Sequence, residues 1–336
     1  MKLAVIGAGS WGLGLAWLLN DNFEEITVWS REEDLTEELV RTKGVKFPLK
    51  IQLDQRVEIT SDLKAAINDA KIVLVVVSSQ AVRPVCQRLR DAGIKQNQIL
   101  VSASKGLELP GLYRLSEVYA QELPKNEFAV LSGPTLAGEV IKGFPTAASI
   151  ASESRDTANF LQEVLTVQDK FRLYSNTDVI GVELGGSLKN VIAIASGFVS
   201  ALNLGDNAKG ALLARGLAEI VRISVAMGAN PSTLYGLSGV GDLFATCSSP
   251  LSRNYRVGYM LGQGKKLDDI LREIGAVAEG VKTSQAVVEL AERLGLEAPV
   301  SEAIYKAVYT DITPVEIVSM LMNRKLKPED LYNLSP

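Results

Sequence analysis

The stretch Leu3-Ala4-Val5-Ile6-Gly7-Ala8-Gly9-Ser10-Trp11-Gly12 decides the fold of this chain. Four apolar residues make a strand, and a G-x-G-x-x-G turn follows it directly. Each glycine has its own physical task. Gly7 permits the tight turn, Gly9 lets a pyrophosphate approach the backbone, and Gly12 lets the following helix pack closely on the strand. That helix, predicted over Gly12–Leu19, then offers its free N–H groups and positive dipole end to an anion. The spacing alone also fits an ordinary glycine-rich turn. A strand before it, a helix after it and a βαβ unit beyond are the context of a dinucleotide site built on Gly7, Gly9 and Gly12.

Outward from this turn, short apolar runs alternate with helical patterns, which predicts a parallel sheet. Strands are expected at Leu3–Ile6, Ile26–Trp29, Ile72–Val77, Ile99–Ser102, Phe128–Leu131, Ala147–Ile150 and Phe171–Tyr174. Most are continuously apolar, as strands covered on both faces should be. Helices are expected at Glu32–Thr42, Ser61–Ala70, Ala81–Ala92, Gly111–Leu123 and Arg155–Leu165. Past residue 180 the pattern holds only helices, clearest at Val182–Leu202, Ala208–Met227, Thr283–Leu294 and Pro314–Met322. The fold class is therefore an α/β Rossmann-type N-terminal domain, residues 1–180, followed by an all-α domain, residues 181–336. A chain of 336 residues suits two domains of ordinary size.

The end of the second strand bears on the choice of dinucleotide. An NAD-specific site usually places Asp or Glu there for the ribose hydroxyls. Here Ser30-Arg31 brings a hydroxyl and a guanidinium, which suit a 2′-phosphate, so NADP or dual use with NAD is expected. Glu32 and Glu33 follow and also favour a helix start, and in that alternative Arg31 is a solvated helix-start residue.

Composition narrows the function classes. The chain has 39 acidic and 35 basic residues, a net charge of -4, which argues against nucleic acid as a partner. Cys86 and Cys247 form no metal or CxxC spacing, so a reduced cytoplasmic setting is expected, without disulfide or metal. Met1-Lys2 runs straight into the first strand with no cleavage region, so no signal peptide is expected. No apolar run reads as a membrane span, and no stable membrane insertion is expected. The chain contains no histidine. Proton transfer must therefore fall to Lys, Asp, Glu, Tyr, Cys or water.

Three further segments carry chemistry. Ser102-Ala103-Ser104-Lys105-Gly106 lies past the carboxyl end of a strand, where open α/β sheets bind ligands. Glu183-Leu184-Gly185-Gly186-Ser187-Leu188-Lys189-Asn190 lies inside an apolar helix and sets two glycines on the face of Lys189. Room for a ligand or another backbone is one reading; close helix packing with a lysine reaching for water is the other. In Gly239-Val240-Gly241-Asp242 and Ser252-Arg253-Asn254, Ser252 reads as an N-cap that places a guanidinium and a carboxamide in a first helical turn. That set fits a phosphate, and equally an ordinary capped helix with an exposed arginine.

With GAGSWG, SASKGLE, SGPTLAGEV, ELGGSLKNVIAIASG, LGDNAKGALLARGLAE, GLSGVGDL, SRNYRVG and AEGVKTSQ in order, the chain resembles the bacterial-type NAD(P)-dependent glycerol-3-phosphate dehydrogenases over nearly its whole length. The resemblance implies reversible hydride transfer between NAD(P)H and dihydroxyacetone phosphate, forming sn-glycerol 3-phosphate for phospholipid synthesis. It implies Lys189 as the catalytic proton donor and acceptor, and Lys105 as a contact of both substrate and cofactor. Gly133, Thr135, Asn190, Asp242, Ser252, Arg253 and Asn254 fall on the family's substrate positions. Ser10, Trp11, Arg31, Ala137, Arg253, Val277 and Glu279 fall on its cofactor positions.

The chemistry agrees. Hydride addition to a ketone leaves an alkoxide that needs a proton and nearby positive charge, and a lysine supplies both. Asp242 would orient a lysine or hold a substrate hydroxyl. Two departures stand out: Gly44-Val45-Lys46-Phe47-Pro48-Leu49 where the family more often shows Asn followed by Tyr-Leu-Pro, and Leu136 where Phe is usual. Two alternatives remain open on the residues: a 3-hydroxyacid or 6-phosphogluconate type of dehydrogenase, and a non-catalytic NADP-binding sensor. The apolar helical domain is compatible with a homodimer.

Overall fold

The computed structural model describes residues 1–45, 50–275, 277–326 and 328–329. The chain forms two compact units. One comprises Met1–Lys105 and Tyr113–Val179; the other comprises Gly106–Leu112 and the chain from Ile180 onward. The excursion of Gly106–Leu112 departs from the expected continuous first domain.

The first unit is built on an eight-stranded sheet: β1 (Lys2–Ile6), β2 (Glu25–Trp29), β3 (Glu58–Thr60), β4 (Ala70–Val75), β5 (Ile99–Ser102), β6 (Phe128–Ser132), β7 (Thr146–Ala151) and β8 (Phe171–Asn176). Their spatial order is β8-β7-β6-β5-β4-β1-β2-β3. From β3 to β6 all pairs are parallel, with Leu3 opposite Ile26 on one side and Ile72 on the other. β7 runs antiparallel to β6 and parallel to β8. The order reverses between β1 and β4, the place where an open α/β sheet binds a dinucleotide.

Alternation explains why these strands are apolar throughout. Leu3 and Val5 join one hydrophobic cluster and Ala4 and Ile6 another, on opposite faces. Helices cover both faces: α1 (Ser10–Leu18), α2 (Glu33–Thr42), α3 (Leu63–Ile67), α4 (Val82–Asp91), α5 (Leu115–Glu122), α6 (Ala137–Val140) and α7 (Arg155–Leu165).

Several boundaries correct the sequence expectations. Asp62 caps α3 by accepting from the N–H groups of Lys64 and Ala65, and Ala70 already belongs to β4 rather than to that helix. α5 begins at Leu115, not Gly111, because Leu112 takes a left-handed φ of 57° and Tyr113–Arg114 is extended. Of the divergent loop, Gly44–Val45 pairs antiparallel with Ile51–Gln52; residues 46–49 lie outside the described residues.

The second unit is helical: α8 (Val179–Ala201), α9 (Gly205–Ala226), α10 (Pro231–Leu234), α11 (Asp242–Ser248), α12 (Arg253–Gly262), α13 (Leu267–Ile274), α14 (Glu279–Leu294), α15 (Pro299–Tyr309) and α16 (Pro314–Met322). Contrary to expectation, α8 is long and apolar enough to cross a membrane, alone in this among the described residues. The protein itself covers it: 94% of its most apolar stretch is buried, so it is a core helix.

Glycine lets other backbones reach α8. A Cβ on Gly197 would lie 1.9 Å from the main-chain oxygen of Tyr255 in α12, and one on Gly258 would lie 1.7 Å from that of Ile194. Elsewhere in the unit, buried Glu219 of α9 accepts hydrogen bonds from the N–H groups of Val300 and Ser301 and so caps α15.

Candidate active site

In the first unit, the glycine turn has the geometry its sequence implies. Gly7 adopts φ 123°, and a Cβ there would lie 2.4 Å from the main-chain oxygen of Val76. A Cβ on Gly12 would lie 1.9 Å from the oxygen of Gly7, so the helix touches the turn. Gly9 differs, because its Cβ position has no protein atom within 4 Å. As the N-cap of α1, Gly9 has no side chain with which to satisfy the first-turn N–H groups. An open cradle beside unsatisfied amides fits a pyrophosphate.

Ser30 is buried at the end of β2, and its hydroxyl accepts from the Glu32 N–H at 3.2 Å. Its own hydroxyl hydrogen turns to the main-chain oxygen of Glu32 at 3.4 Å. Arg31 is exposed. Past β5, Lys105 Nζ donates to the main-chain oxygen of Gly133 at 2.9 Å and to Thr135 Oγ1 at 3.4 Å. Lys105, Gly133 and Thr135, far apart in sequence, are thereby one cluster. Gly133 is needed there because its φ is 152° and a Cβ would press on Ala148 Cα at 2.8 Å. Ala137 opens α6 nearby in sequence.

In the second unit, Lys189 and Asp242 meet. Both side chains are buried, and Lys189 Nζ lies 2.8 Å from Asp242 Oδ1. Thr246, one turn past Asp242, accepts from Lys189 and donates to Asp242 Oδ1 at 3.2 Å. Sequence reasoning missed Thr246, although its i+4 spacing from Asp242 was the available signal.

Gly185, one turn before Lys189, receives a backbone. A Cβ on Gly185 would lie 2.6 Å from the main-chain oxygen of Ser238. The segment Leu237–Gly241 is a π-helical turn, with the Gly241 N–H reaching back to Gly236. This irregular turn delivers Asp242 to Lys189, and such turns are frequent at functional sites. Lys189 does not snorkel to water. Beside it, burial pushes the Cys247 thiol up to about 12, against the pull of the Lys189 charge.

Ser252 caps α12 by accepting from the Tyr255 N–H at 3.2 Å. Arg253 is exposed at its tip, yet desolvation lowers its pKa while the Glu279 carboxylate opposes the drop. Val277 is exposed just ahead of Glu279. Asn190 and Asn254 are buried and bonded to each other at 2.8 Å. Ser187, also unforeseen, holds the excursion of the second unit by accepting from the Gly106 N–H at 2.9 Å.

A doubly wound sheet with a glycine turn at its switch point, joined to a helical unit with a buried lysine–carboxylate pair, defines a dinucleotide-dependent dehydrogenase. The model of the family described as NAD-dependent glycerol-3-phosphate dehydrogenase N-terminus matches residues 2–158, and that of its C-terminus matches residues 178–319. The chain belongs to this family and is an oxidoreductase. It is 44% identical over 329 residues to glycerol-3-phosphate dehydrogenase [NAD(P)+] of Thermoanaerobacter sp. (strain X514), covering 98% of this chain and 99% of that relative. A Citrifermentans bemidjiense protein of the same name is 46% identical over 332 residues, covering 98% of each. The 2.1 Å crystal structure of glycerol-3-phosphate dehydrogenase from Coxiella burnetii superposes with a TM-score of 0.91 at 37% identity, covering 96% of this chain and 99% of that one. Full-length agreement of this kind favours neither the 3-hydroxyacid or 6-phosphogluconate alternative nor the non-catalytic sensor.

Proposed function

We propose that the chain catalyses the reversible reduction of dihydroxyacetone phosphate to sn-glycerol 3-phosphate, feeding glycerophospholipid synthesis, with NADPH or NADH. Residues 1–180 hold the dinucleotide and the chain from 181 holds the substrate. The observation that carries the reading is the buried Lys189–Asp242 pair in a chain without histidine.

Bound at Gly7, Gly9, Ser10, Trp11 and Gly12, the nicotinamide dinucleotide supplies the hydride. Lys189 Nζ gives its proton to the ketone oxygen as that oxygen gains charge, and takes it back in the reverse direction. Asp242 and Thr246 fix the ammonium group, so little reorganisation is left for the reacting moment. By the family resemblance, Lys105, clustered with Gly133 and Thr135 in the first unit, is a contact of both substrate and cofactor. Ser252, Arg253 and Asn254 receive the phosphate at the start of α12, where N–H groups, a guanidinium and a carboxamide converge. By the family resemblance, Ala137 of the first unit and Arg253, Val277 and Glu279 of the second stand at the remaining cofactor positions.

A homodimer and cytoplasmic residence belong to the same reading, as does the absence of stable membrane insertion, which the burial of α8 in the core supports.

The test is NADPH oxidation with dihydroxyacetone phosphate, followed spectrophotometrically in wild type and Lys189→Ala. Turnover in wild type alone supports the reading. Turnover only with 3-hydroxyacids or 6-phosphogluconate, or near-normal kcat in Lys189→Ala, would sink it.

A further inference from the structure

The carboxamides of Asn190 and Asn254 belong to a directional chain of hydrogen bonds across three helices. The Gly280 N–H at the start of α14 donates to Asn254 Oδ1 at 3.0 Å. Asn254 Nδ2 donates to Asn190 Oδ1 at 2.8 Å, and Asn190 Nδ2 donates to the main-chain oxygen of Gly186 at 3.4 Å. Backbone groups close both ends, a donor at Gly280 and an acceptor at Gly186. A carboxamide flips freely between its oxygen and nitrogen only where neither end is dictated. Here both ends are dictated, so each amide has one orientation. Each nitrogen then retains one hydrogen beyond the relay.

We infer that Gly280 is a positioning residue: through Asn254 it sets the Asn190 and Asn254 carboxamides to offer N–H donors to the oxygens of an anionic substrate. The inference rests on the proposed reading of the site. It also explains why residue 280 is glycine. A Cβ there would lie 2.7 Å from the main-chain oxygen of Asn190, 2.9 Å from Asn254 Oδ1 and 2.9 Å from Ile194 Cδ1. The first of these atoms is backbone and cannot rotate away, and the second is the relay's own acceptor, so a larger residue must shift α14 from Asn190 and with it the bond to Asn254. Gly280 also follows Glu279 directly. The N-terminus of α14 therefore carries a proposed dinucleotide contact and the support of the phosphate contact on adjacent residues.

A double-mutant cycle on kcat/KM for dihydroxyacetone phosphate tests this with wild type, Gly280→Ala, Asn254→Ala and the double variant. Gly280→Ala alone is expected to lower kcat/KM about tenfold or more, mainly through KM. In the Asn254→Ala background the same change is expected to cost less than about threefold, because the residue it acts through is gone. Equal losses in both backgrounds overturn the inference. If Gly280→Ala does not fold, the cycle is run on Asn190→Ser and Asn254→Ser, where losses that simply multiply overturn it. If wild type does not reduce dihydroxyacetone phosphate, the reaction reading fails. The relay is then judged by titrating inorganic phosphate into the same proteins: non-additive binding losses support it, and additive losses or no binding by wild type overturn it.

Discussion

Lys189 Nζ and Asp242 Oδ1 stand 2.8 Å apart with side-chain exposures of 6% and 2%, so each charge has been taken out of water against the other. A pair of this kind contributes less net stability than its short distance suggests, since both ions lost their hydration. Removing one partner is another matter, because the survivor is then buried and uncompensated. Lys189→Met and Asp242→Asn are each expected to lower unfolding free energy by about 3 kcal/mol or more, and the double variant by less than their sum. Chemical denaturation of the four proteins measures this. Additive losses would mean that the two charges are not held by each other. Neither lysine variant should turn over substrate, while dinucleotide binding stays close to wild type.

The three glycines of the opening turn should separate into two behaviours. Gly9 sits at φ -72°, ordinary for any residue, with open space at its Cβ. Gly9→Ala should therefore fold with a Tm within about 2 °C of wild type, helped by a less flexible unfolded chain. Its affinity for NADPH should fall about tenfold or more, since the added methyl occupies the cradle. Gly7→Ala and Gly12→Ala meet backbone oxygen instead and should lose stability outright. Unchanged NADPH affinity in Gly9→Ala, read by fluorescence titration, would remove the pyrophosphate from this turn.

Glu219 makes stability depend on pH. Burial raises its carboxyl from 4.5 to about 7, against the pull of the Val300 and Ser301 donors and the charge of Arg222. A group whose pKa is raised by folding stabilises fully below its unfolded value and loses that contribution as pH climbs through the folded one. Stability should thus fall by on the order of 3 kcal/mol between about pH 5 and pH 8 from this group. Glu219→Gln, which keeps an acceptor for the N–H groups of α15, should flatten that fall. Parallel slopes for the two proteins would show that Glu219 does not titrate in this window.

Arg31 is exposed beyond β2; the proposal that it meets a 2′-phosphate gives it a charge-assisted bond worth about tenfold in affinity. Arg31→Ala should reduce kcat/KM for NADPH by about that factor and leave NADH within about twofold. Equal loss with both dinucleotides, or a wild type that strongly prefers NADH, would count against NADP preference.

Much of the first unit was legible because its signals are local. Apolar runs at Leu3–Ile6 and Ile99–Ser102 read as buried strands, and the turn at Gly7–Gly12 carries its task in its own spacing. β3 escaped notice because an edge strand of three residues has room for one buried side chain, Ile59, too few to show a period. Gly111–Leu123 looked helical throughout, but the backbone turns left-handed at Leu112 before α5 can begin.

The candidate site was legible as residue types rather than as partnerships. Lys189 and Asp242 are separated by 53 positions, and nothing local announces that the π-helical turn brings them together. Thr246, Ser187 and Gly280 matter through what they touch. A hydroxyl or a missing side chain has no periodicity of its own, so only the fold could reveal them.

The amine proposed to move the proton sits on α8, the most enclosed helix of the second unit, rather than on a surface loop. A catalyst anchored there has no loosened yet working form. Any fluctuation that frees the Lys189 ammonium must first breach the packing that keeps the whole unit folded. Heat or denaturant should therefore extinguish activity together with the core, in one transition, and regulation of this enzyme has to act on what approaches the lysine rather than on the lysine itself.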